Sequence, residues 1–68
     1  MTRAQIIKAA EQKTAKEFLE FLWDKRVGYE ILDQDNIMDE NDGYLNVSVA
    51  GMPDGVALLF IDGEFDGL

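Results

Sequence analysis

The side chains able to do chemistry in this chain are almost all carboxylates. Asp33, Asp35, Asp39, Glu40 and Asp42 form one run, with Glu30 just before it and Asp54, Asp62, Glu64 and Asp66 after it. Carboxylates can serve as paired general acids and bases, as ligands for hard cations, or as a fixed negative field. A glycosidase-type pair needs an enclosing cleft, which a chain of 68 residues can hardly build. No His is present to titrate near neutral pH and no Cys to act as a nucleophile, so Ser48 has no imidazole partner. Catalysis is not expected, and no residue is assigned a catalytic role.

Cation binding fares little better. Asp62-Gly63-Glu64-Phe65-Asp66-Gly67 opens like an EF-hand loop, but the later ligands and the closing Glu do not follow. Framed on Asp42-Gly43 instead, the first ligand position falls on Met38 and the last on Val49. No metal or cofactor is therefore expected. A weak divalent-cation module at the acidic turn stands as a lesser reading. The Asp-Gly pairs read more simply as turn residues, needed for their backbone angles. Gly51, Gly55, Gly63 and Gly67 match neither the dinucleotide-binding nor the Walker spacing.

The field remains. The chain carries 14 acids and 6 bases, a formal net charge of -8. All the bases (Arg3, Lys8, Lys13, Lys16, Lys25, Arg26) lie within residues 1–26, beside Glu11, Glu17, Glu20 and Asp24. Residues 27–68 hold the other ten acids and no base. A solvated, solubilising surface is the plain explanation of such acids, but generic surfaces mix signs. Like charges crowded on a small domain cost stability through self-repulsion. A dense carboxylate array can present to a nucleic-acid-binding protein the field that phosphates would, and be steered onto its basic groove. In charge and size the chain resembles the small acidic inhibitors found among phage anti-host proteins and nuclease immunity proteins. Direct nucleic-acid binding is disfavoured, because the bases are intermixed with acids and the remaining residues would repel phosphates.

These side chains need elements to position them. Residues 2–26 read as one helix that starts at the Thr2-Arg3-Ala4-Gln5 capping box. Ile7, Ala15, Phe18, Phe21 and Leu22 form its apolar stripe, and Gly28 is its stop signal. Residues 27–33 alternate as a strand, with an extension to Met38 that would make Asp39 to Gly43 the turn of a long acidic hairpin. Glu30 is expected on the same outward side as the acidic run. Residues 44–50 alternate more cleanly, and 56–61 form the most apolar run. Gly51-Met52-Pro53-Asp54-Gly55 joins them as a type I turn with Pro in its second position. The tail 62–68 reads as a frayed end or a small extra turn, with Phe65 tucked back onto the core in the second case.

The expected fold is α+β: one N-terminal amphipathic helix on a three-stranded antiparallel sheet (αβββ), two layers, a single small domain over 1–68. No apolar run is long enough to span a membrane. The start leads into a charged helix rather than a signal-peptide stretch, so the cytoplasm is the expected compartment.

One length does not fit. A helix of about 24 residues runs roughly 36 Å, and a strand of about seven runs roughly 24 Å. Either the helix bends near Thr14 or the hairpin lengthens the sheet, or else the helix end packs on another copy or another protein. In that last case Ile6, Ile7 and Ala10 line a hydrophobic interface. Glu11, inside the stripe, would mark where the helix leaves the core. Trp23 lies off the stripe, either widening it against the sheet edge or serving as a binding residue. The leading functional expectation is a non-enzymatic module that binds a protein with a basic, nucleic-acid-binding surface through Glu30, Asp33, Asp35, Asp39, Glu40 and Asp42. The runner-up is a structural or assembly protein that forms homodimers or larger oligomers through its helix.

Overall fold

The computed structural model describes all 68 residues. The chain is α+β, with two helices packed on a four-stranded antiparallel sheet: α1 (Arg3–Glu11), α2 (Ala15–Asp24), β1 (Tyr29–Asp35), β2 (Tyr44–Val49), β3 (Leu58–Ile61) and β4 (Glu64–Gly67). The sheet is a simple meander in the order β1-β2-β3-β4.

Two helices stand where the sequence pattern implies one. Thr2 caps α1 in a reciprocal capping box with Gln5, as expected, but Thr14 does the same for α2 with Glu17. Thr14-Ala15-Lys16-Glu17 repeats the start signal, and it breaks the helix. Thr14 has extended backbone angles, φ -73 and ψ 166. The interruption also has a tertiary cause: the Ala15 N–H donates to the Gly63 carbonyl at 2.9 Å, and Thr14 forms an isolated bridge with Glu64. The turn after β3 thus takes backbone groups that a continuous helix would have used internally. The break removes the overhang. The molecule extends only 27 × 23 × 17 Å, too little for the roughly 36 Å rod.

The break also resets the helical phase. In one continuous helix Ile7 would share a face with Phe18. Instead Ile6, Ala9 and Ala10 of α1 are buried with Ala15, Phe18 and Leu22 of α2, and Ile7 is only half-buried. Glu11 is the exposed last residue of α1 rather than a point of departure from the core. The core is completed by Leu45, Val47, Val49, Leu58 and Phe60, and none of its members is polar. Phe60 links the layers, with its ring 5.2 Å from Phe18 and 5.5 Å from Phe65.

α2 does not end on Gly28. Arg26 takes the left-handed conformation, φ 57, while the Val27 N–H donates to the Leu22 carbonyl at 2.9 Å and the Arg26 N–H to the Trp23 carbonyl at 3.1 Å. This pair of bonds is a Schellman motif with Arg in the position usually held by Gly.

The sheet departs from expectation in three places. β1 ends at Asp35 and does not reach Met38; Ile37 packs against the core, whereas Met38 is exposed. In the β2–β3 connection the Val56 N–H donates to the Pro53 carbonyl at 3.1 Å, so Pro53 opens the turn and Gly55, at φ 80, sits in its third position. That turn is one residue out of the expected register and needs the positive φ that Gly supplies. The tail is neither frayed nor a lone turn. Asp62 and Gly63, at φ 53 and 81, make the two-residue loop of a β3–β4 hairpin. Positive φ at both loop residues is the I′ geometry for which Asp-Gly is a strong signal. Phe65 does return to the core, as part of a strand. No helix is long and apolar enough to cross a membrane.

Candidate protein-binding surface

The helices cover one face of the sheet, and the other face is open. Along β2, Leu45, Val47 and Val49 are buried, while Tyr44, Asn46 and Ser48 alternate with them toward the open face. The pairing register carries this face across the sheet. Glu30 stands opposite Ser48, Asp33 opposite Asn46 and Asp35 opposite Tyr44. Asn46 in turn stands opposite Leu59, and Ile61 opposite Glu64. The open face therefore has half-buried Tyr44 and Leu59 and exposed Ile61 toward its middle, with Glu30, Asp33 and Asp35 on β1 and Glu64 on β4 at its borders.

Strict alternation would split Glu30 from Asp33 and Asp35. The register shifts between Ile31 and Asp33, leaving Leu32 as an extra residue. Such a bulge places two residues opposite one and re-aims everything that follows. It puts all three acids on the open face, in line with the expectation for Glu30. Leu32, having no place in the ladder, is exposed.

Asp39, Glu40 and Asp42 lie in the β1–β2 connection, beyond Asp35. This segment is braced from within. The Asp39 N–H donates to the Asn36 carbonyl at 2.9 Å, the Asn41 N–H to Asp39 Oδ1 at 2.8 Å, and Asn36 Nδ2 to Asp42 Oδ2 at 3.5 Å. It is also seated on the β3–β4 turn. The buried Gly63 donates its N–H to the Gly43 carbonyl at 2.7 Å, and a Cβ on Gly63 would strike the Glu40 carbonyl oxygen. This close approach brings Asp62 and Glu64 beside the Asp39–Asp42 segment. Sequence reasoning missed both as neighbours of the acidic run. The Asp62-Gly63 hairpin signal could have located them, because a meander puts the β1–β2 and β3–β4 loops at the same end. Asp54 sits in the β2–β3 turn at the opposite end of the sheet.

All ten acids of residues 27–68, Asp66 of β4 included, are exposed, and no group of three or more of the chain's carboxylates is arranged to hold a metal ion. The divalent-cation reading thus has no assembled site.

The hydrophobic candidates separate. Ile6 and Ala10 are fully buried in this chain's own core, so they offer nothing to another copy. Ile7 is half-buried. Trp23 is 76% exposed. With Leu22, Arg26, Val27, Gly28 and Tyr29 it lines a groove between the end of α2 and the start of β1. A second depression on the same flank is lined by Lys16, Leu19, Glu20, Ile37 and Met38. Trp23 therefore does not widen the core stripe.

Comparison with known proteins found no family model, no curated protein and no solved structure that matches the chain.

Proposed function

We propose that this protein is a non-enzymatic protein-binding module whose open sheet face and neighbouring acidic loop occupy a basic, nucleic-acid-binding surface of another protein, and so block it. The observation that carries this reading is the bulge at Leu32, which gathers Glu30, Asp33 and Asp35 on one uncovered face. A bulge costs ladder hydrogen bonds, and gathering like charges adds repulsion. A partner of opposite charge relieves that repulsion. The apolar middle of the face, Tyr44, Leu59 and Ile61, supplies surface to desolvate, and the acidic border supplies steering.

The test compares the protein with its Glu30→Gln/Asp33→Asn/Asp35→Asn variant in affinity capture from lysate of its own cell. Bound proteins are eluted by rising salt or by DNA or RNA. A nucleic-acid-binding protein retained by the native chain, released by salt and by nucleic acid, and lost with the variant is the expected result. Equal retention by the variant, or release by neither agent, overturns the proposal.

A further inference from the structure

The two edges of the sheet are treated differently. β4 is four residues long, and the α1–α2 junction lies against its start through the Thr14–Glu64 bridge. β1 is seven residues long and has a strand neighbour on one side only. The Ala50 N–H donates to the Gly28 carbonyl at 2.8 Å, one step before Tyr29 pairs with Val49. Antiparallel pairs alternate between bonded and non-bonded. The Tyr29–Val49 and Ile31–Val47 pairs are therefore the non-bonded ones, and the N–H and C=O of Tyr29 and Ile31 point away from β2, toward the free edge.

The surroundings of this edge are two-sided. On the open face it is bordered by Glu30, Asp33 and Asp35. On the helix side it is bordered by the apolar flank of Trp23, Tyr29, Leu19 and Met38, with Trp23 and Met38 76% and 73% exposed. Charges on that flank are mixed, Lys16 and Arg26 against Glu20, so it offers no net attraction to a cation.

We infer that β1 accepts an extended segment of a partner protein as a fifth strand. That segment carries Lys or Arg at alternate positions and apolar side chains between them. Its basic side chains meet Glu30, Asp33 and Asp35, and its apolar ones fall beside Trp23 and Tyr29. Main-chain bonds to Tyr29 and Ile31 supply affinity, and the alternation supplies specificity. A second copy of this chain is the wrong occupant, because β1 against β1 sets acids beside acids. The inference rests on the proposed function for the sign of the partner and goes beyond it in naming the segment and the edge.

The probe is a synthetic peptide as long as β1 that alternates lysine with valine. It is compared with the same peptide N-methylated at the amides that would pair, and with a shuffled peptide that has lost the alternation. The expected result is slowed amide exchange at Tyr29 and Ile31, a blue shift of Trp23 emission, and binding roughly tenfold weaker or worse for both controls. Equal binding of the N-methylated peptide overturns strand addition and leaves the acidic-surface reading standing. Equal binding of the shuffled peptide overturns the alternation. Absence of binding overturns the inference outright. Protection of Tyr29 and Ile31 that grows with protein concentration alone also overturns it, by naming a second copy as the occupant. If instead the alternating peptide binds the Glu30→Gln/Asp33→Asn/Asp35→Asn variant equally well, it is the charge reading that falls.

Discussion

Glu30 and Asp33 share the open face of the sheet although they stand three positions apart, because Leu32 between them is extra to the ladder. Their carboxylates then stand on one strand with Asp35 and with no base on the neighbouring strand β2. Such an arrangement is opposed by repulsion in the free protein. The Glu30→Gln/Asp33→Asn/Asp35→Asn variant is expected to be more stable than the native chain by about 0.5–1 kcal/mol at low salt. The gain should vanish near 1 M salt, where screening acts within about 3 Å. Urea unfolding at the two ionic strengths checks this. A gain that persists at high salt would point to packing rather than charge.

The helix break depends on Thr14. Its hydroxyl accepts from the Glu17 N–H at 3.3 Å, and its own N–H donates to Glu17 Oε1 at 3.0 Å. Thr14→Ala should cost about 1 kcal/mol. The Glu17 carboxyl is lowered from its ordinary value, first by the Thr14 backbone N–H and then by the Thr14 hydroxyl, against an opposing desolvation, with Lys13 and Lys16 adding to the lowering. A carboxyl depressed on folding contributes stability above its unfolded value and loses it as pH falls through the folded one. The stability difference between native protein and Glu17→Ala is therefore expected at neutral pH and should shrink as acid titrates the carboxyl. Chemical unfolding across pH reads this directly; a difference that grows in acid would contradict the assignment.

Arg26 occupies a left-handed position, φ 57, that Gly fills without strain. Arg26→Gly is accordingly expected to raise stability, by roughly 1 kcal/mol, with no change in fold. Thermal unfolding measures it, and a loss of stability would mean that the guanidinium contributes more than the backbone strain costs.

Gly63 and Gly55 form a matched pair. Their φ angles are 81 and 80, but a Cβ at Gly63 would strike the Glu40 carbonyl, while one at Gly55 would meet nothing within 4 Å. Gly55→Ala should cost about 1–2 kcal/mol from backbone strain alone. Gly63→Ala should cost clearly more, and it should loosen the Asp39–Asp42 segment. Unfolding midpoints and amide exchange in that segment give both readings. Equal costs would show that the loop yields freely at Gly63.

The fold class was legible because it rests on local periodicity. Alternation in 44–50 located β2, and the apolar run ending at Ile61 located β3. The second helix start was legible too, in Thr14-Ala15-Lys16-Glu17, but uninterrupted helix formers around it masked the signal. The fourth strand was hidden for another reason. Glu64 to Gly67 is short and acidic, with one apolar side chain, and only its pairing with β3 makes it a strand.

By itself the sequence determined the charge, the ten acids without a base in residues 27–68, the absence of His and Cys, and the apolar periods that set two packed layers. These depend on residue type and on neighbours along the chain. The tertiary structure alone decided which side of α1 is buried, which edge of the sheet is free and which acids share a face. The buried side of α1 and the shared face of the acids turn on breaks in the period, at Gln12–Thr14 and at Leu32. A one-residue shift rotates a helical face by about 100° and inverts a strand's two faces. The pairing that selects it lies far away in sequence, at Gly63 and Glu64 for the helices and at Asn46 and Val47 for β1.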